Sequence, residues 1–497
     1  MKLLNALAKY GVEKADEIAV KSALGELTYR ELTEGSDILA DYLDKKLGDN
    51  RNPIMVYGHK NPYILLCFIA CAKAGRTYCP IDISLPLSRV EEIAKVAQPP
   101  VILSTEQLEM QGETIISLEE IKRIINEAGG KISSDKWNKP EDVFYIIFTS
   151  GSTGTPKGVQ ITADNLSNFL VWSKDLAGHQ GNETKIFLNQ APFSFDLSVL
   201  DVYTSLYTGG TLFLVDKEAQ QDMSILMDRL GSSDLNVWVS TPSFADVCLS
   251  NPEFDESLLR HLEVFLFCGE TLTRETAKRL AERFPKAKIV NLYGPTEATV
   301  SVTGVEITAE MIAGEAPLPI GYTHEGTEIL IEKEDGTLAA DGEQGEILIR
   351  GNTVSPGYFK NEEKTKEVFL PGNTYKTGDE GFLKEGMLHY CGRRNLQIKL
   401  HGYRIELEDI ENNILKLSGV TGAAVLPKVV EGKVKSLTAF VVKPEETKRD
   451  FRAGKVIKEE LKAYLPEYMV PKKIVFLDEL PMTPNGKTDR KTLGGQL

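Results

Sequence analysis

The chain has 497 residues, of which 42% are hydrophobic and 26% are charged, and its formal net charge is −15 at pH 7. A chain of this length predicts more than one domain, and its ordinary composition indicates a globular protein. The negative net charge argues against a nucleic acid as the partner.

The N-terminal segment from Met1 to Tyr10 predicts a short amphipathic helix and not a signal peptide, because Asn5 and Lys9 interrupt its apolar residues. The longest apolar run, from Tyr63 to Ala72, is too short to cross a bilayer. The six cysteines form no Cys-x-x-Cys pair, so they predict neither a disulfide framework nor a structural zinc site. We expect a cytoplasmic protein with no membrane insertion.

Apolar, strand-like runs alternate with amphipathic helical stretches through the first 390 residues, which predicts an α/β domain over residues 1–390 with largely parallel sheets. Between about residues 320 and 390 the pattern changes to short strands and turns, which indicates a small β-rich, barrel-like subdomain. Residues 391–497 predict a compact α+β domain. The predicted strands of the large domain are Pro53–Tyr57, Val101–Ser104, Thr211–Val215, Asn236–Ser240, Val264–Cys268 and Ile289–Leu292.

The charge is unevenly divided between these two parts of the chain. Residues 391–497 hold 20 Lys and Arg against 14 Asp and Glu, a net +6, which leaves 37 against 58, a net −21, for residues 1–390. A basic tail suggests an anionic partner, either nucleotide phosphates or an acidic protein. A solvated basic face with no partner is the alternative.

A loop rich in hydroxyls and glycines follows the apolar strand predicted at Val143–Phe148. Glycines let a backbone approach a polyanion closely, hydroxyls and amides donate to phosphate oxygens, and a lysine adds a positive charge. The loop is not the common P-loop, because Pro156 precedes the lysine where a glycine is required. A plain turn is the alternative to a nucleotide triphosphate cradle. The candidate phosphate-binding residues are Thr149, Ser150, Gly151, Thr153 and Lys157.

Further along the chain, two turns carry acidic residues. In the first, a Gly-Pro turn, Tyr293 could stack on a base, Thr296 could donate to a phosphate, and Glu297 could bind Mg²⁺ together with phosphate oxygens. In the second, Asp379 follows a glycine and could accept hydrogen bonds from two ribose hydroxyls. Each motif is weak alone, and an ordinary turn with a solvated carboxylate is the alternative for both.

The basic tail contributes three more candidates. Arg393 could contact a ribose or a phosphate, and Asn395 lies where a hinge between the two domains would bend. The Asn485-Gly486 pair favours a tight turn that would hold Lys487 at the tip of a loop. A lysine at a loop tip is usually solvated, but one that a mobile domain delivers to a phosphate would be catalytic.

Taken in order, these motifs resemble those of the adenylate-forming superfamily of acyl-CoA synthetases, adenylation domains and luciferases. The resemblance covers nearly the whole chain and includes, besides the motifs above, Leu27–Leu32, Lys73–Asp82, Gly345–Gly351 and Leu465–Pro471. It implies a large N-terminal domain, a small mobile C-terminal domain, and an active site between them that uses ATP and Mg²⁺.

The resemblance also implies a role for each candidate residue. Thr149, Ser150, Gly151, Thr153 and Lys157 would hold the β- and γ-phosphates, and Glu297 would bind Mg²⁺. Asp379 and Arg393 would contact the ribose. Lys487 would bridge the attacking carboxylate and the α-phosphate, and the C-terminal domain would then rotate about Asn395. The remaining nucleotide-binding residues would be Asn291, Leu292, Tyr293, Gly294, Pro295, Thr296 and Tyr390.

Asp196 indicates which class of acid is activated. Amino-acid-activating members of the superfamily pair an aspartate at this position with the substrate ammonium. Burying an ammonium without a counter-charge is costly. The alternative is that Asp196 only caps the helix that starts near Ser198. Cys268 stands where many relatives have glycine, and its thiol would shrink the pocket to admit about a methyl group. Val300 would also line the pocket. The alternative is that the thiol only fills space in the core.

This pattern is similar to the members, found in Gram-positive bacteria, that activate D-alanine for lipoteichoic acid. These pass the amino acid to the phosphopantetheine thiol of a separate, typically acidic D-alanyl carrier protein. For this chain too we expect a separate carrier and not a carrier domain after Leu497. The rival expectations are a CoA ligase for a small carboxylic acid, a free-standing adenylation enzyme for another small amino acid, and a non-catalytic nucleotide sensor.

Overall fold

The computed structural model describes residues 1–127, 129–150, 156–179, 183–393, 397–400, 402–430, 433–443, 451–482, 488–495 and 497. The chain divides into two compact units. The first unit consists of Met1–Ile83, Ala97–Ile147 and Gly158–Gly392, and the second of Ser84–Val96, Phe148–Lys157 and Arg393–Leu497. No helix among the described residues is both long and apolar enough to cross a membrane.

Helices and strands alternate through the first 150 residues, as the sequence predicts. In chain order they are α1 (Lys2–Glu13), β1 (Ile18–Ser22), β2 (Gly25–Thr28), α2 (Tyr29–Leu47), β3 (Ile54–Gly58), α3 (Pro62–Lys73), β4 (Tyr78–Asp82), α4 (Leu87–Ala97), β5 (Ile102–Ser104), β6 (Ile115–Ile116), α5 (Leu118–Glu127), a 3₁₀ helix (Ser134–Lys136) and β7 (Val143–Thr149).

The alternation continues to about residue 323. The elements are β8 (Lys157–Thr162), α6 (Ala163–Leu176), β9 (Ile186–Asn189), α7 (Leu197–Thr208), β10 (Thr211–Leu214), α8 (Lys217–Gln221), α9 (Met223–Gly231), β11 (Val237–Ser240), α10 (Pro242–Leu249), β12 (Val264–Phe267), α11 (Arg274–Arg283), β13 (Lys288–Tyr293), a 3₁₀ helix (Thr296–Ala298), β14 (Thr303–Glu306), α12 (Ala309–Ala313) and β15 (Tyr322–Thr323).

The rest of the chain is richer in strands. Its elements are β16 (Thr327–Glu332), β17 (Gly345–Gly351), α13 (Glu362–Val368), β18 (Phe369–Leu370), β19 (Thr374–Lys384), β20 (Met387–Arg393), β21 (Gln397–Leu400), β22 (Tyr403–Glu406), α14 (Leu407–Leu415), β23 (Gly422–Val430), β24 (Lys433–Val442), α15 (Phe451–Leu461), a 3₁₀ helix (Glu467–Met469), β25 (Lys473–Leu477) and α16 (Arg490–Gly494).

Two large sheets organise the first 323 residues. One has nine strands in the order β15-β14-β13-β12-β11-β9-β10-β1-β2, with parallel pairing from β13 through to β1. The other has the order β6-β5-β3-β4-β7-β8, and β3 pairs in parallel with both β4 and β5. The carboxyl ends of parallel strands share one edge of a sheet, so loops that follow them are brought together.

The strands of these sheets are buried runs of apolar residues, which is typical of parallel sheets covered on both faces. All four residues of β11 and all four of β12 are buried, for example. A continuous cluster of buried side chains contains residues from both sheets and from α3, α6 and α7. The predicted α/β fold class of the large domain is therefore confirmed.

The β-rich segment forms a separate antiparallel sheet. Strands β16, β17, β19 and β18 pair in that order, and β20 also pairs with β19. Strand β16 alternates buried and less buried residues, whereas Ile347, Leu348 and Ile349 of β17 are buried in succession. Ile329, Ile331, Ile347 and Ile349 belong to a small apolar cluster. The alternation in β16 is what an antiparallel sheet covered on one face requires.

The C-terminal segment has its own apolar core. A hairpin of β21 and β22, a sheet of β23, β24 and β25, and the helices α14 and α15 enclose it. This α+β composition agrees with the sequence prediction. The apolar pattern of the tail predicts helices over 406–417 and 454–464, and the structure has α14 over Leu407–Leu415 and α15 over Phe451–Leu461. The proposed division of the chain at residues 390 and 391 stays a prediction.

Candidate functional site

The turn after β13 carries most of the predicted nucleotide-binding residues of the first unit. Leu292 and Tyr293 end the strand, Pro295 precedes the 3₁₀ helix, and Nδ2 of Asn291 donates to the Pro319 carbonyl across 2.8 Å. A Cβ atom on Gly294 would lie 2.5 Å from Cα of Ser301. The close approach of two backbone segments therefore requires glycine at this position.

Tyr293 fixes the orientation of Asp379. Its hydroxyl donates to Oδ2 of Asp379 across 2.8 Å, and both residues are buried. Oγ1 of Thr377 accepts from the Asp379 amide across 3.0 Å, so the aspartate is held from the backbone side as well. The ring centroid of Tyr390 lies 6.2 Å from that of Tyr293. A carboxylate held beside two aromatic rings can accept hydrogen bonds from a ligand that carries both hydroxyls and a flat ring.

The substrate candidate Asp196 is joined to the same turn. Oγ1 of Thr296 donates to Oδ2 of Asp196 across 2.6 Å, although the two residues are 100 positions apart in the sequence. Asp196 occupies the N-cap position of α7, but its side chain makes no capping hydrogen bond there. The structure therefore does not support the alternative, in which the Asp196 side chain caps α7.

Glu297 is completely buried directly after Thr296. The Tyr358 hydroxyl donates to its Oε1 across 2.8 Å, and the Ser355 amide donates to its backbone carbonyl across the same distance. Sequence reasoning missed Tyr358, whose only signal is its position after the Pro356-Gly357 turn. A carboxylate oriented by a neighbouring hydroxyl is a donor that suits Mg²⁺, which prefers few carboxylates together with phosphate oxygens.

Cys268 and Val300, the two residues predicted to line the substrate pocket, are in contact. Cys268 comes directly after β12, is 3% exposed, and its Sγ lies 3.7 Å from the Val300 carbonyl oxygen. Thr299 and Val300 have φ of 60° and 70°, which is uncommon for β-branched residues. Strained conformations of this kind persist only where the surrounding structure enforces them, and they cluster at functional sites.

Within the second unit, the residues that flank the phosphate loop contact β22. Oγ of Ser150 donates to the Arg404 carbonyl across 3.0 Å and accepts from the Glu406 amide across 3.2 Å. Nζ of Lys157 lies 3.8 Å from Oε1 of Glu406, and the Thr149 hydroxyl donates to the Lys157 carbonyl across 3.4 Å. The lysine thus faces a carboxylate in a position where the sequence predicts phosphate oxygens.

Five further predicted residues lie in the second unit or outside the described residues. Arg393 ends β20 and belongs to the second unit. Gly151, Thr153, Asn395 and Lys487 lie outside the described residues. The predicted roles of all five stay predictions.

Sequence reasoning also missed a buried polar cluster beside the Asp196 segment. Nζ of Lys60 donates to the Asn189 side chain and to the Ala191 carbonyl, and Nδ2 of Asn189 donates to Oδ1 of Asp201 across 2.7 Å. Lys60, Asn189 and Asp201 are all fully buried. The available signal was a lysine placed directly between a buried strand and an apolar helix, where a solvated position is not expected.

Comparison with known proteins gives matches along almost the entire chain. The model of the AMP-binding enzyme family matches residues 7–359, and the model of the AMP-binding enzyme C-terminal domain matches residues 409–487. Proteins from Bacillus mycoides and Bacillus cereus, each named D-alanine–D-alanyl carrier protein ligase, are 46% identical over 99% of this chain and 99% of their own.

A solved structure shares the fold. The Vibrio cholerae adenylation domain AlmE, in complex with glycyl-adenosine-5'-phosphate, matches with a TM-score of 0.84 and covers 100% of this chain and 96% of its own. At 24% identity, that likeness concerns the fold alone.

Proposed function

This chain belongs to the AMP-binding enzyme family, and we propose that it is an ATP-dependent, AMP-forming ligase that activates D-alanine and transfers it to a carrier protein. In the first step the carboxylate of D-alanine attacks the α-phosphorus of ATP, which gives D-alanyl-adenylate and pyrophosphate. In the second step the phosphopantetheine thiol of a separate D-alanyl carrier protein attacks the acyl-adenylate, which gives the thioester and releases AMP. We infer that the thioester serves lipoteichoic acid D-alanylation.

The position of Asp196 is the observation that supports an amino acid substrate. Its carboxylate makes no capping bond to α7 and is oriented by the Thr296 hydroxyl. A negative charge placed in this way can neutralise a substrate ammonium, whose burial would otherwise be costly. An acid without an amine gains nothing from it.

The small size of the amino acid is supported by the contact between Cys268 and Val300. The thiol fills space beside the Val300 carbonyl, and both residues are almost completely buried. A pocket of fixed walls discriminates by about 1–3 kcal/mol per methylene group. The names of the two Bacillus relatives support alanine of D configuration.

Placement and charge stabilisation account for the chemistry of the first step, since phosphoryl and adenylyl transfers need little covalent help from the protein. Asp379, held by Tyr293, would accept hydrogen bonds from the ribose hydroxyls, and Arg393 would donate to the ribose oxygens. Lys157 and the hydroxyls of Thr149 and Ser150 would hold the β- and γ-phosphates. Lys487 would neutralise the charge that develops between the attacking carboxylate and the α-phosphate.

Glu297 would hold Mg²⁺, whose contribution when bound is to neutralise phosphate charge. Its buried carboxylate, with one oxygen hydrogen-bonded by Tyr358, fits that role. For the second step, rotation of the C-terminal domain about Asn395 would withdraw Lys487 and open a path for the thiol. The net charge of +6 on residues 391–497 suits an acidic carrier, and ATP as co-substrate suits a cytoplasmic reaction.

Exchange of radiolabelled pyrophosphate into ATP tests the first step with D-alanine, L-alanine, glycine and acetate offered separately. We expect the highest kcat/KM for D-alanine and no exchange with acetate. Exchange supported by acetate would indicate a CoA ligase for a small acid, and the absence of exchange with every acid would indicate a nucleotide sensor. Incubation with a phosphopantetheinylated D-alanyl carrier protein or with free CoA then separates the two acceptors.

A further inference from the structure

We propose that Lys60 is a positioning residue for the substrate-binding aspartate, and that it sets the affinity for the amino acid without touching it. The inference rests on the proposed role of Asp196. Asp196 lies in the segment 190–196, which connects the end of β9 to the start of α7. Lys60 belongs to the chain that follows β3 in the other large sheet, so it reaches this segment from a different layer of the first unit.

Lys60 contacts the segment at three points. Its Nζ donates to the side chain of Asn189, where β9 ends, and to the Ala191 carbonyl across 2.5 Å. Nζ also lies 4.6 Å from the centroid of the Phe193 ring, within the range of a cation–π interaction. Asn189 extends the contact to Asp201 in α7, so the ammonium links both ends of the segment.

The segment itself transmits a displacement to Asp196. The Phe195 amide donates to the Pro192 carbonyl across 3.0 Å, which closes a turn. Oγ of Ser198 donates to the Phe195 carbonyl across 2.7 Å, which ties the turn to the first residues of α7. Because these bonds leave little slack between residues 191 and 198, a shift at Ala191 moves the carboxylate of Asp196.

Burial shows that Lys60 is costly to keep. The side chain is fully buried, and burial lowers the pKa of its ammonium to about 8, against the opposing effects of Asp201, Asp82 and Asp216. The carboxylates come from α7, from the end of β4 and from the loop after β10. Since a hydrophobic residue could fill the same space more cheaply, an ammonium here indicates a task that needs its hydrogen bonds.

A second buried lysine provides a matched control. Lys73 is 1% exposed and donates to Asp37 across 2.7 Å and to the Thr33 carbonyl across 2.8 Å. These partners lie on α2 and not in the segment 190–196. Removing Lys73 leaves the Asp37 carboxylate without its cation, and removing Lys60 leaves Asn189 and the Ala191 carbonyl without a donor. Each variant therefore loses buried polar partners, and a loss of stability is expected for both.

The test compares Lys60→Met and Lys73→Met in pyrophosphate exchange, with D-alanine and ATP each varied. We expect Lys60→Met to raise the KM for D-alanine by about 10- to 100-fold, the range that the loss of hydrogen bonds to a charged group produces, while the KM for ATP changes by less than about twofold. Lys73→Met should leave both values near those of the unaltered enzyme. An equal rise in both KM values, or none, overturns the proposal.

The double variant Lys60→Met with Asp201→Asn separates stability from positioning. Removing both charges should restore much of the thermal stability, because no unpaired buried charge remains. The KM for D-alanine should stay raised, since the Ala191 carbonyl still lacks its donor. Recovery of both properties together would overturn the proposal. If the unaltered enzyme shows no exchange with any amino acid, the proposed function fails instead, which is a distinguishable result.

Discussion

The Thr296 hydroxyl donates to the Asp196 carboxylate across 2.6 Å. This single bond joins the turn that holds the nucleotide candidates Tyr293 and Glu297 to the segment that holds the amino acid candidate. Because both substrates must meet at one phosphorus atom, a direct link between their binding elements keeps the two in register.

Asp196→Asn should abolish the counter-charge for the substrate amine while it keeps the shape of the side chain. Removing one partner of a close, desolvated charge pair costs about 2–5 kcal/mol, so we expect kcat/KM for D-alanine to fall by roughly 30- to 5,000-fold. Pyrophosphate exchange measures it. Asp175→Asn, an exposed aspartate at the end of α6, is the control and should retain full activity; a mild effect of Asp196→Asn would contradict the assigned role.

Cys268→Ala should enlarge the pocket beside the Val300 carbonyl. Larger or L-configured amino acids should gain relative to D-alanine by about 1–3 kcal/mol, the usual value of one methylene-sized change. The ratio of kcat/KM values for D-alanine, L-alanine and L-serine reports it. Cys248→Ala removes an equally buried thiol from α10 and should leave the ratio unchanged. An unchanged ratio in both variants would leave Cys268 as core filling.

Tyr293→Phe should loosen Asp379 without altering the ring. The lost hydrogen bond between the two buried side chains measures 2.8 Å. A bond to a charged group contributes about 1.5–3 kcal/mol, so the KM for ATP should rise by about 10- to 100-fold with the KM for D-alanine nearly constant. Tyr322→Phe, at an exposed tyrosine of β15, is the control. A change confined to the amino acid would refute the assignment of Asp379 to the ribose.

Lys487→Ala should separate the two half-reactions. The lysine is proposed to neutralise charge in adenylate formation only, so pyrophosphate exchange should fall by a factor on the order of 10² or more. Transfer to the carrier from chemically prepared D-alanyl-adenylate should remain near the rate of the unaltered enzyme. Equal loss in both assays would show that the substitution damages the domain as a whole, and the assigned role would have to be abandoned.

Arg89→Ala should destabilise the second unit in a way that depends on pH. Nη2 of Arg89 lies 3.1 Å from Oδ2 of Asp409, which has no exposed area, and burial raises the pKa of Asp409 to about 6 despite the arginine. A carboxyl whose pKa is raised on folding contributes stability at low pH and loses it as the pH rises through about 6. Without the arginine that loss becomes larger, because the ionised form has lost its ion-pair partner and keeps only the weaker effect of Lys416.

The measurement is the urea midpoint of unfolding at pH 5 and at pH 8. We expect the free energy of unfolding of the variant to fall by about 3–5 kcal/mol at pH 8, the usual cost of breaking a buried ion pair by removing one partner. The fall should be clearly smaller at pH 5, where Asp409 takes up a proton. Arg123→Ala, which breaks an exposed pair with Glu120, should change little at either pH. A loss that is independent of pH would mean that packing of the Arg89 side chain dominates.

Local patterns in the sequence predicted the strands well. Residues 264–267 and 237–240 lie in strands as expected, since parallel strands buried on both faces are unbroken apolar runs. Element ends were less accurate, as at α15, because its first residue, Phe451, is exposed and does not belong to the buried apolar pattern from which the helix is predicted.

The contacts that build the site could not be predicted in the same way. Thr296 and Asp196, or Tyr358 and Glu297, are separated by 100 and 61 positions, and nothing in either local segment specifies its partner. Motif order predicted which residues to expect at the site but not how they orient one another. Lys60 was missed because a lone lysine in a sequence is ordinarily expected to be solvated and not buried.

The positive φ angles of Thr299 and Val300 carry an evolutionary implication. Glycine adopts such angles without a side-chain clash, so replacing either residue by glycine relieves the local backbone strain. Selection for thermal robustness alone would therefore act on these two positions, and through the proposed place of Val300 in the pocket it would act on substrate discrimination as well.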